Sequence, residues 1–279
     1  MRLRIDLAYD GTGFSGWAKQ PELPSVQARL ENALARAFRI PESDVRTVVA
    51  GRTDSGVHAT GQVCHVDVSD ELMAPLRGDG FAETATRRLR GALGKSSAIR
   101  LIAVTEAPEG FDARFSPLRR RYEYRIADGR STKDPRHSNH TLWIDESLDG
   151  EAMNQLGQSL TGLHDFASFC RQREGATTIR TLEHYSWQRD DDGVLIGTVV
   201  ADAFCHSMVR SLVGAAVAVG KGAASVDEIV KLRDALERTS VWKTMPAHGL
   251  TLVEVEYPPA AELAARAEKT RGTRELPSD

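Results

Sequence analysis

Polar and apolar residues alternate from Arg2 to Tyr9, with Leu3, Ile5 and Leu7 on one side. That is the two-residue period of a half-buried strand. After Ser25, a residue type that caps helices, Val26, Leu30, Ala33, Leu34 and Ala37 recur at helical spacing as far as about Phe38. Val45–Ala50 and Gln62–Val68 read as strands on either side of Gly51–Gly61, Gly80–Leu93 as a helix and Ile99–Thr105 as a strand. The same order then recurs. Arg121–Ala127 is a strand with Tyr122, Tyr124 and Ile126 on one face, and Leu148–Leu160 is a helix. Ile179–Gln188 and Val194–Val200 form a hairpin around Asp190-Asp191-Asp192-Gly193. Helices over Phe204–Val219 and Val226–Leu236 and a strand over Thr251–Tyr257 complete the series. The pattern predicts an α+β chain of two ferredoxin-like β-α-β-β-α-β units, 1–110 and 111–258, and a partly mobile tail, 259–279.

The length of 279 residues agrees with about two domains, and 41% hydrophobic with 27% charged residues suits an ordinary soluble core. A net charge of −3 excludes a wholly basic nucleic-acid coat but allows a local basic groove. The longest apolar run, Ser211–Gly220, falls well short of the ~20 residues that span a bilayer. Arg2, Arg4, Asp6 and Asp10 stand where a signal peptide would be apolar. Cys64, Cys170 and Cys205 are odd in number and widely spaced, so neither a disulfide framework nor a zinc site is expected. These features imply a reduced, cytosolic, cofactor-poor protein. Charge is unevenly placed: residues 111–140 hold eight Lys/Arg against four acids, which leaves −7 elsewhere, and 141–160 hold four acids and no base. With Phe111, Phe115, Tyr122 and Tyr124 in it, the basic segment suits phosphate contact and base stacking. A strand edge guarded by arginines would have the same composition.

Three places could carry chemistry. Gly11-Thr12-Gly13-Phe14-Ser15-Gly16 fits a dinucleotide-binding pattern, but Pro21 and Pro24 block the helix such a site opens, so a backbone-permissive loop beside a ligand or a plain turn remains. Gly51-Arg52-Thr53-Asp54-Ser55-Gly56-Val57-His58 lies between two strands and gathers a carboxylate, a cation and a hydrogen-bonding ring. Asp-Ser-Gly is also ordinary turn chemistry. Arg210 stands in an otherwise apolar run, where a guanidinium either reaches out to water or meets a buried anion. His206 and His248 are isolated, and no metal-binding or serine-hydrolase spacing occurs.

Taken together, these blocks resemble the tRNA pseudouridine synthase A family. The likeness is carried by Tyr9-Asp10-Gly11-Thr12 with Gly16-Trp17, by Ala50 to Ala59 with Gly61-Gln62-Val63, and by Phe111-Asp112-Ala113-Arg114. Arg120-Arg121-Tyr122-Glu123-Tyr124, Phe204–Gly214 and His248-Gly249-Leu250-Thr251-Leu252 continue it in family order, over about residues 1–258. The resemblance implies two ferredoxin-like halves whose antiparallel sheets join across a central basic cleft, in a homodimer without cofactor. It implies Asp54 as nucleophile, Arg52 in flipping the uridine, Tyr122 stacked on uracil, Arg210 paired with Asp54 and Leu250 packed on the base. Further substrate contacts are expected from His58, Arg114, Arg120 and Arg121. The expected substrate is tRNA, at several neighbouring uridines on the 3′ side of the anticodon stem-loop. Three positions depart from the family pattern: Ala18, where Gln is frequent, Cys205, where Leu commonly follows the phenylalanine, and Lys243-Thr244-Met245 before the approach to Gly249.

Such a reaction breaks N1–C1′, turns the uracil and forms C5–C1′. One ionised carboxylate suffices, attacking either C1′ of the sugar or C6 of the base. Two other readings use the same residues: an RNA-binding module without catalysis, and an aspartate-dependent hydrolase of a small nucleoside.

Overall fold

A computed structural model describes residues 1–74, 78–95, 97–171, 177–237 and 239–272. The chain forms two compact units, residues 1–118 with 252–272 and residues 119–251. The sequence pattern put the division at 110 and the last strand in the second half. Residues from 252 onward in that strand instead group with the first unit.

In the first unit, β1 (Arg2–Tyr9) buries Leu3, Ile5, Leu7 and Tyr9 and turns the residues between them outward, as the alternation requires. It pairs antiparallel with β3 (His58–Asp67) and β4 (Ile99–Glu106), while β2 (Thr47–Val49) pairs antiparallel with the far part of β3 at Cys64–Val66. The order β4-β1-β3 continues to β10 (Leu250–Glu256). Helix α1 (Val26–Phe38) starts at Ser25, whose hydroxyl accepts the Ala28 N–H, and buries Val26, Leu30 and Leu34. Its buried Glu31 accepts from the Thr47 N–H and hydroxyl at 2.9 and 3.0 Å, tying β2 to the helix. A short helix, α2 (Asp70–Met73), precedes α3 (Phe81–Leu93), and Thr86 of α3 accepts the β4 N–H of Val104 at 2.9 Å.

The expected tail is ordered as far as it is described. Helix α7 (Leu263–Arg271) buries Leu263 and Ala267, and Arg266 donates to the carbonyls of Pro117 and Leu118. Residues 273–279 lie outside the described residues.

The second unit has β5 (Arg119–Ala127), the two-residue β6 (Leu142–Trp143) parallel to it, β7 (Gly162–Asp165), β8 (Ile179–Arg189) and β9 (Leu195–Ala201). The sheet runs β5-β9-β8-β7 with antiparallel neighbours. Helix α4 (Gly150–Leu160), capped by Asp149, is held to β8 by Asn154, whose amide exchanges both hydrogen bonds with the Trp187 backbone. Helix α5 (Met208–Gly220) is buried on every side, with Arg210 its one residue outside the core. It begins four residues later than its apolar run suggests, because Ser207 takes a left-handed φ of 64° and leaves 204–207 as a loop. Helix α6 (Val226–Asp234) follows, capped by Ser225. Among the described residues no helix is long and apolar enough to cross a membrane.

Candidate active site

The Asp54 loop joins β2 to β3, and its backbone is fixed from two sides. From one side comes the glycine loop after β1. The Trp17 N–H donates to the Thr53 carbonyl at 3.0 Å, and the Gly56 N–H donates to the Phe14 carbonyl at 3.2 Å. Gly16 has a φ of +96°, and a Cβ there would lie 2.8 Å from the Thr53 carbonyl oxygen. Gly11 is likewise pressed onto the Val57 carbonyl. These glycines let one backbone lie directly on another, so no nucleotide-binding helix is needed to account for them. Their loop leads into Trp17, which is buried.

From the other side, two buried side chains reach the loop and meet the buried hydroxyl of its own Thr53. Gln62 Nε2 donates to the Gly51 carbonyl at 2.9 Å and to the Tyr9 hydroxyl at 3.1 Å, and Tyr9 Oη meets Thr53 Oγ1 at 2.8 Å. Gln62 is 0% exposed, Tyr9 4% and Thr53 7%. Burial pushes the Tyr9 phenol up to about 12, against the opposing hydrogen bonds of Thr53 and Gln62, so it remains a protonated hydroxyl at neutral pH. Asp54 itself is half-buried and Arg52 exposed, and the Val57 N–H closes a turn on the Asp54 carbonyl at 3.1 Å. His58 is buried at the start of β3, where its Nδ1 accepts the Gly11 N–H at 3.0 Å. Asp10 Oδ1 also lies 3.2 Å from the same Nδ1. Arg114, also in the first unit, is exposed and lies over the Phe115 ring at 5.0 Å.

The second unit carries the other sequence candidates. Tyr122 projects from β5 opposite Val199 and meets Phe204 edge to face. Arg210 Nη1 donates to the Met245 carbonyl at 3.2 Å and Nη2 to the Ser207 hydroxyl at 3.3 Å. The Met245 N–H returns a bond to the Arg210 carbonyl at 3.1 Å, so the 245–250 segment and α5 are stitched together. The Tyr124 hydroxyl donates to the Pro246 carbonyl at 2.8 Å, holding the approach to Leu250, which is buried at the start of β10. Arg120 is also buried and donates to the Asp202 carbonyl at 2.7 Å, below the Phe204 loop. Arg121 is half-buried and pairs with Glu123 at 2.9 Å.

Arg52, Asp54, His58 and Arg114 thus belong to the first unit, and Arg120, Arg121, Tyr122, Arg210 and Leu250 to the second. Three aromatics expected to stack on bases are buried: Phe111 packs on Tyr257 with centroids 4.9 Å apart, Tyr124 is fully buried and Tyr122 is 8% exposed. Apolar burial outcompetes exposure for all three. Cys170 and Cys205, expected to remain separate thiols, form a disulfide with Cα atoms 5.7 Å apart, since 35 residues of chain return β7 and the loop after β9 to one place. The Tyr9–Thr53–Gln62 set and Phe204 were not singled out as site residues from the sequence. The Gly-Gln pair at 61–62 was the available signal, a polar residue inside an apolar strand. Among the described residues no three His, Cys, Asp or Glu side chains are gathered as a metal ion would need.

A family model described as tRNA pseudouridine synthase matches residues 157–258. The chain is 55% identical to the tRNA pseudouridine synthase A of Leifsonia xyli, over 99% of this chain and 98% of that one. It is 51% identical to that of Frankia casuarinae, covering 100% and 97%, and 49% identical to that of Streptomyces avermitilis, covering 100% and 95%. With about half of its residues identical from one end to the other, and the Gly-Arg-Thr-Asp loop clamped between a glycine turn and a buried hydroxyl network, this chain belongs to the tRNA pseudouridine synthase A family.

Proposed function

We propose that this chain isomerises uridine to pseudouridine in tRNA, with Asp54 as nucleophile. The end-to-end likeness to relatives named tRNA pseudouridine synthase A carries this reading. In it the Asp54 carboxylate attacks C1′ or C6, N1–C1′ breaks, the uracil turns, C5–C1′ forms, the bond from Asp54 to the substrate carbon breaks to free the carboxylate, and the proton lost from C5 is balanced by the one N1 gains. Arg52 assists eversion of the nucleotide, Tyr122 stacks on the uracil, Leu250 walls the detached base and Arg210 is the cation of the nucleophile. Arg114 and Arg121 meet phosphate, while His58 and Arg120 act inside the protein, holding the glycine loop and the 202–204 loop. The substrate uridines lie on the 3′ side of the anticodon stem-loop, and the enzyme works as a cytoplasmic homodimer without cofactor.

The rigid seat of the Asp54 loop supports this assignment, since a nucleophile gains rate from being held in place before the substrate arrives. The experiment uses unmodified tRNA tritiated at uridine C5. Forming C5–C1′ expels the label, so wild type should release tritium, and Asp54→Asn should bind tRNA as tightly while releasing none. No release from any tRNA at saturating enzyme would refute the isomerase. Release of uracil from free uridine would point to a hydrolase instead.

A further inference from the structure

Among the described residues of the first unit, a polar cluster inside the core is directed at the Asp54 loop. Gln62 sits on β3 with neighbours Val63 and Cys64 buried, where an apolar side chain would fill the space at no polar cost. Its carboxamide spends both donor bonds on one target region: Gly51, two residues before Thr53, and Tyr9, which passes the contact on to Thr53. The carbonyl end accepts the Val63 N–H at 3.2 Å, so the amide cannot turn over without losing three bonds. The two anchored residues bracket Arg52, and Thr53 directly precedes Asp54.

The geometry points to Tyr9, Thr53 and Gln62 as positioning residues that fix the backbone on both sides of Arg52 and thereby set the direction of the Asp54 carboxylate. This rests on Asp54 being the nucleophile. A network buried to this degree holds its geometry more tightly than exposed bonds would, because every broken bond leaves a polar atom in the core. The glycine loop meets the same stretch from the opposite side, at the Thr53 carbonyl, the Gly56 N–H and the Ser55 hydroxyl, which donates to the Phe14 carbonyl at 3.3 Å. Removing the hydroxyl network leaves the loop attached but able to rotate about that remaining line of bonds. The expected effect is on the reacting step and not on capture of tRNA, since none of the three side chains is exposed.

The test measures tritium release from C5-labelled tRNA in single and multiple turnover for Tyr9→Phe, Thr53→Val and Thr53→Ser, with Asp54→Asn alongside. Thr53→Val should slow the single-turnover step about three- to tenfold, the worth of one buried hydrogen bond, and Tyr9→Phe, which removes the bonds to both Thr53 and Gln62, at least as much, with KM changed less than about twofold. Thr53→Ser keeps the hydroxyl and should restore the rate to within about twofold of wild type. Thr53→Val at the wild-type rate, Thr53→Ser as slow as Thr53→Val, or a loss confined to KM would each overturn the inference. If Tyr9→Phe fails to fold, the Thr53 pair decides alone. Release by Asp54→Asn would instead sink the nucleophile assignment, a failure distinct from wild-type behaviour of the Thr53 variants beside an inactive Asp54→Asn.

Discussion

Tyr122 and Phe204 meet edge to face, with ring centroids 5.1 Å apart and planes at 87°. The partially positive rim of one ring thus rests against the electron-rich face of the other. Phe204 comes from the loop after β9, which Arg120 and Asp202 hold from beneath and the Cys170–Cys205 disulfide holds from beside. The ring proposed to stack on uracil is therefore braced by a side chain the sequence pattern had placed inside a helix.

Phe204→Leu removes that brace and retains much of the apolar volume. An aromatic pair is worth about 0.5–1.5 kcal/mol, so kcat/KM on tRNA should fall roughly two- to tenfold. Steady-state tritium release measures it. An unchanged kcat/KM would mean that β5 alone holds Tyr122.

Cys170 and Cys205 offer a second measurement. Peptide mapping without reductant should recover the two cysteines in one linked peptide pair and Cys64, which is buried, as a thiol. Closing a loop of this length is worth about 2–4 kcal/mol through the unfolded state, so dithiothreitol and Cys205→Ser should lower Tm similarly. Equal Tm with and without reductant would show that the link contributes nothing in solution.

Asp128 predicts a pH dependence. Burial pushes its carboxyl up, but the two-pronged bond from Arg189 and the N–H groups of Leu148 and Arg130 outweigh this and hold it well below the usual carboxylate range. A depressed native value means the stabilisation is complete above the unfolded value of about 3.9 and is lost as pH falls below it toward the native value. Asp128→Asn should cost roughly 3 kcal/mol at neutral pH, because Arg189 then lacks its partner. It should also flatten the drop in Tm as pH falls from about 4 toward 2. Thermal scans across that range check both, and a parallel acid limb in the variant would contradict the assignment.

Where the local pattern was strong, the elements fell where the sequence put them. The alternation of Leu3, Ile5 and Leu7 gave β1 to the residue, and Ser25 marked the cap of α1. The Asp-Gly turn at 190–193 closed the β8–β9 hairpin. The misplacements have long-range causes. β3 begins at His58, four residues early, because Ala59 pairs with Tyr9 across the sheet, a partnership no local window contains. The start of α5 depends on a left-handed Ser207, which apolar spacing does not reveal. In the site, the Gly-Arg-Thr-Asp block stood out through its resemblance to the family, since Asp-Ser-Gly taken alone is ordinary turn chemistry. The support from Tyr9 and Gln62, distant in sequence from one another, did not stand out.

The first unit is closed by residues from the far end of the chain: β10 lies along β3, Leu118 donates to the Glu256 carbonyl at 2.8 Å, and Tyr257 reaches back to the Ala113 carbonyl. A ribosome making this protein delivers the Asp54 loop early but must translate some two hundred further codons before the strand that lines its sheet emerges. Until then the part of β3 that β2 does not pair is left with one flank bare, and a truncated product would carry the Asp54 loop on an unfinished scaffold.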